Sequence, residues 1–85
     1  MIITLKTLPD TQGEFTITDG TNDYLGVVPA GMEGFEDRVI LSFARGIAVA
    51  PEHYVAPTIP ATRKMQLSIP TISIGDVLFD DTEQA

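Results

Sequence analysis

From Val39 to Ala50 the chain runs through twelve positions with a single charge, Arg45, and this is its longest nearly uncharged apolar stretch. Removing apolar surface from water is the main favourable term in folding, so this stretch has to form the core of whatever the chain becomes. Arg45 stands beside Gly46, and glycine accepts positive φ without a side-chain clash, which reads as a tight reversal inside the run. Two central strands, 38 to 44 and 47 to 50, then meet at that turn. Signals for a helix are present too: Glu33, Glu36 and Asp37 precede the run, and a basic residue followed by glycine closes it. Against them stand the strand formers Val39, Ile40 and Phe43, the alternation of Val39, Leu41 and Phe43, and the early glycines Gly31 and Gly34. The balance falls to strand.

The flanking segments have the rhythm of short strands. Over residues 2 to 8, Ile3 and Leu5, with Thr7, alternate against Thr4 and Lys6, the period of two of a half-buried strand. Residues 9 to 13 have the chemistry of a hairpin loop, with Asp10 placed to bond nearby backbone amides. Residues 14 to 18 put Phe15 and Ile17 on one face and Glu14, Thr16 and Thr18 on the other, so the sheet has one wet side. A turn at 19 to 23 leads to a third strand at 24 to 28, and the three read as a meander.

Residues 51 to 64 carry three of the six prolines, spaced too closely for a helix or a central strand. They read as an extended arm whose partner-binding residues are Tyr54, Val55, Ile59, Arg63 and Lys64, or else as a crossover loop inside the domain. Residues 65 to 69 and 71 to 74 alternate again around Pro70, which suits an edge or a bulge. Gly75 and Asp76 turn the chain into a last strand at 77 to 79, and 80 to 85 form a short acidic tail.

At 85 residues the chain makes one domain, 1 to 85, which buries only roughly 60% of the surface its unfolded form exposes and has modest stability. It has no cysteine, so oligomerisation is the remaining common support. Charged residues are 20% against 44% hydrophobic, a balance that favours cover of some apolar surface by a partner. A net charge of -7 repels phosphates and argues against direct nucleic-acid binding. The first residues are too short and interrupted for a signal peptide, and no window approaches the ~20 apolar residues of a membrane helix.

Chemistry is sparse. His53 is the one histidine, and an isolated imidazole in a loop is more often a surface group than a base. Ser42, Ser68 and Ser73 fall in expected strands with no base nearby in sequence. Residues 19 to 23 cluster oxygens but lack the spacing and closing glutamate of a helix-loop-helix calcium site. The adjacent acids Glu36 and Asp37 point to opposite sides of a strand and read as solvated charge. No catalytic residue, metal site or cofactor is expected, and the protein is read as non-enzymatic.

The sequence therefore predicts an all-β domain, a small sandwich or partly open barrel of about seven short strands with an extended proline-rich arm, because strand-like runs recur roughly every 8 to 12 residues. Its expected role is structural: a small virion accessory subunit, of the capsid decoration or cement type, stabilising neighbouring subunits through sheet edges and the arm. The expected partner is a larger protein assembly, with a homo-oligomer possible and no membrane involved. Its expected location is the virion, assembled in a host cytoplasm, or otherwise the cytoplasm. The alternative is an acidic inhibitor that blocks a basic, nucleic-acid-binding site on another protein, although the acids are spread over the turns rather than gathered on one face.

Overall fold

The computed structural model describes residues 1–60, 62–68 and 70–80. In chain order it contains β1 (Ile2–Thr7), β2 (Glu14–Thr18), β3 (Asp23–Val27), helix α1 (Glu36–Val49), a single 3-10 turn (Pro51–His53) and β4 (Val77–Asp80). The strands form one open antiparallel sheet in the order β3-β2-β1-β4. The first three make the expected meander, and β4 returns from the far end of the chain to pair with β1. Alternation is what puts the sheet's core face together: Ile3, Leu5, Phe15, Ile17 and Tyr24 are buried on one side, while Thr4, Thr16 and Thr18 stay partly exposed on the other.

Helix α1 covers that buried side. Glu36, Ile40, Ala44 and Ile47 are its buried residues, and steps of four, four and three place them on one stripe of a helix with 3.6 residues per turn. Phe43 packs edge-on against Phe15, with ring centroids 5.5 Å apart, so the aromatic pair joins helix to sheet. Opposite Phe15 across the ladder sits Gly26. A Cβ there would lie 2.5 Å from the end of the Phe15 ring and 2.9 Å from Phe43, so the missing side chain is what makes room for the pair.

The expected all-β class is therefore corrected: this is a small mixed α/β domain with four antiparallel strands and one helix, and the sheet closes into neither sandwich nor barrel. The strands expected at 38 to 44 and 47 to 50 are one continuous helix. The Arg45–Gly46 reversal is absent, because Gly46 lies inside that helix and is not among the positive-φ glycines. Alternation of Val39, Leu41 and Phe43 misleads here, since Leu41 is exposed while Ile40 is fully buried. Within the described residues, 65 to 68 and 70 to 74 join no ladder. Their amides bond elsewhere: Met65 N–H donates to Thr11 O at 2.7 Å, Ser68 N–H to Glu36 and Thr71 N–H to Asp37. Of the expected acidic tail, 81 to 85 lie outside the described residues.

Candidate functional site

Most of the acids are occupied within the chain itself. Asp10 accepts from the Gln12 and Glu14 amides, Asp19 from those of Thr21 and Asn22, Glu33 from Gly31 and Asp76 from Ser73. These are turns closed by a carboxylate that accepts local N–H groups. The Asn22 amide, followed by that of Thr21, holds the Asp19 carboxyl below its ordinary range.

Glu36 and Asp37 at the start of α1 correct the solvated reading given to that pair. Glu36 is only 2% exposed and accepts from Gly34 N at 2.8 Å and Ser68 N at 3.1 Å. Those bonds, the Gly34 amide's above all, hold its pKa below the usual carboxylate value against the opposing effect of burial, and the positive end of the helix favours the same charge. Asp37 accepts from both the hydroxyl and the amide of Thr71, and the hydroxyl bond is the main reason its pKa is lowered. The two carboxylates thus fasten the C-terminal segment to the head of the helix.

With its acids turned inward, α1 presents a different surface outward. Arg38, Leu41, Ser42, Arg45, Gly46 and Val49 are all exposed, Leu41 by 44% and Val49 by 76%. Beside this face runs a shallow groove made of two adjoining depressions that share Ser42 and Phe43. One, of about 500 Å³, lies toward Val27, Pro29 and Met32; the other, of about 370 Å³, lies toward Gly46, Tyr54 and Val55. The lining is mainly apolar, and Ser42 and Gly46 keep its helical wall low.

The arm residues singled out in the sequence divide. Tyr54 and Val55 help form the groove, and Val55 is 83% exposed. The Tyr54 hydroxyl accepts from Leu25 N at 2.9 Å and donates to Leu25 O at 3.0 Å, so it occupies backbone groups on the outer edge of β3 that would otherwise be open to another strand. Arg63 donates to the carbonyl of Val28 and to Met65 Sδ. Ile59 is half-buried and Lys64 exposed, and neither lines the groove. What sequence reasoning missed is the helical face itself. Its signal is the spacing of Glu36, Ile40, Ala44 and Ile47, which leaves Arg38, Arg45 and Val49 on the opposite side.

Ser42 and His53 line the same depression, yet no hydrogen bond joins them or ties the imidazole to an acid among the described residues. Among those residues no group of three or more His, Asp or Glu is placed to hold a metal ion, and no helix is long and apolar enough to cross a membrane. Comparison with protein-family models, curated proteins and solved structures finds no match to this chain. What fold and surface define is a small open-faced α/β domain with an apolar and basic helix face that stands exposed among the described residues. Nothing in either supports a virion or capsid role.

Proposed function

We propose that this is a non-catalytic interaction module that binds another protein along the outward face of α1 and the groove beside it. The observation that carries the reading is the composition of that face: Leu41 exposed between Arg38 and Arg45, and Val49 exposed one turn beyond Arg45, on the helix that also supplies the core. Apolar side chains standing free on a rigid element beside a groove are what helix-in-groove recognition uses. The distribution of acids supports this reading over that of an acidic inhibitor, since a carboxylate spent on closing a turn is poorly placed to imitate a phosphate.

Photo-crosslinking from single positions tests it. A benzophenone side chain at position 41, in the protein made in its native cells, is expected to give one discrete adduct. The same probe at Thr16, on the open sheet face, is expected to give none. An adduct from position 16 alone would move the binding surface to the sheet and defeat the proposal.

A further inference from the structure

We infer that the partner segment on α1 is an acidic amphipathic helix, with carboxylates about two turns apart that meet Arg38 and Arg45. This rests on the proposed function and names the chemistry of its partner. The chain has five basic residues. Lys6 is paired with Asp23, Arg63 is committed to Val28 and Lys64 is exposed singly outside α1, whereas Arg38 and Arg45 stand exposed together on one helix face. Seven positions separate them, about 10 Å along the axis at ~1.5 Å per residue. Arg38 lies over the Phe35 ring, 5.8 Å from its centroid, and neither arginine is ion-paired among the described residues. The acids of α1 itself, Glu36 and Asp37, face Gly34, Ser68 and Thr71. A chain of net charge -7 thus carries a locally positive face, and sign decides what can cover it.

A second copy is disfavoured. A two-fold contact would set this face against itself, arginine to arginine, between two strongly acidic bodies. Nucleic-acid phosphates match the arginines but leave the exposed Leu41 and Val49 without apolar cover. An acidic helix has the matching charge, and the exposed Leu41 and Val49 call for apolar side chains on it. The low wall at Ser42 and Gly46, where a Cβ on Gly46 would meet nothing within 4 Å, allows helix axes to approach within roughly 8 to 10 Å.

The test uses two labelled peptides of about three heptads, both with leucine at the a and d positions, one with glutamate and the other with lysine at e and g. Fluorescence anisotropy with the full chain is expected to show the glutamate peptide binding about tenfold or more tightly than the lysine peptide, with the advantage shrinking as salt is raised. The double substitution Arg38→Glu, Arg45→Glu is expected to reverse the order. Equal binding of the two peptides, preference for the lysine peptide, or no binding of the glutamate peptide overturns the inference. So does a homodimer in sedimentation that the glutamate peptide dissolves, or binding to phosphatidylserine vesicles that it blocks. An adduct captured from position 41 together with absent charge preference leaves the interaction module standing and removes the acidic helix. No adduct and no peptide binding removes both.

Discussion

Gly26 is the position where one atom matters most. The Phe15 ring above it is fully buried and wedged against Phe43, so it has nowhere to retreat from an added methyl. Gly26→Ala is expected to lower stability by about 1 to 3 kcal/mol, the range for overpacking a close-packed core, as read from a denaturant melt. Tyr54 acts through its hydroxyl. Tyr54→Phe retains the edge contact with Tyr24, whose ring centroid is 5.2 Å away, but strips both Leu25 backbone groups of their partner. A loss of about 1 to 3 kcal/mol is expected, together with faster amide exchange at Leu25. Unchanged exchange there would show that water serves those groups equally well.

The elements differ in how openly the sequence announces them. For β1, β2 and β3, alternation was enough, because a sheet with one wet side writes its period directly into residues such as Phe15, Thr16 and Ile17. Asp10 and Asp19 marked their turns for a local reason, a short carboxylate reaching amides two to four residues away. Helix α1 was hidden because its apolar run is too rich to show a face: Val39, Leu41 and Phe43 imitate a strand while Ile40, Ala44 and Ile47 do the burying. A nearly uncharged run of twelve positions without a proline exceeds the usual length of a strand, and that is the available clue. Residues 65 to 68 and 70 to 74 err the other way, alternating in sequence like a strand while Glu36 takes the Ser68 amide and Asp37 that of Thr71. The two carboxylates, held by the Gly34 amide and the Thr71 hydroxyl above all, predict a pH response. Both carboxyls titrate below their ordinary range when folded, so the unfolded chain binds more protons as acid is added. Their contribution is complete above the unfolded value near ~4 and is lost as pH falls through the lower folded values. Melting temperature is expected to fall between about pH 5 and about pH 2. Glu36→Ala, which leaves the Gly34 and Ser68 amides without their acceptor, is expected to cost about 1 to 3 kcal/mol at neutral pH and to flatten the acid limb.

Taken whole, the molecule is a single core between one sheet and one helix, laced by a C-terminal segment that touches the first hairpin at Thr11, Val28 just after β3, the head of α1 at Glu36 and Asp37, and β1 through β4. Burial on this scale gives limited stability, which makes Gly46 informative. Glycine in an exposed helix interior costs roughly 0.8 to 1 kcal/mol relative to alanine, and the space around it is empty. If the outward face of α1 is the binding surface, that opening serves the approach of a partner rather than the fold. The decisive measurement is therefore capture from the position-41 crosslinker in a Gly46→Leu background, with melting followed in parallel. The expected result is a melting temperature equal to or above that of the parent chain and loss of the adduct. Full retention of the adduct, with the fold intact, would contradict the assignment of this face as the place where the protein binds.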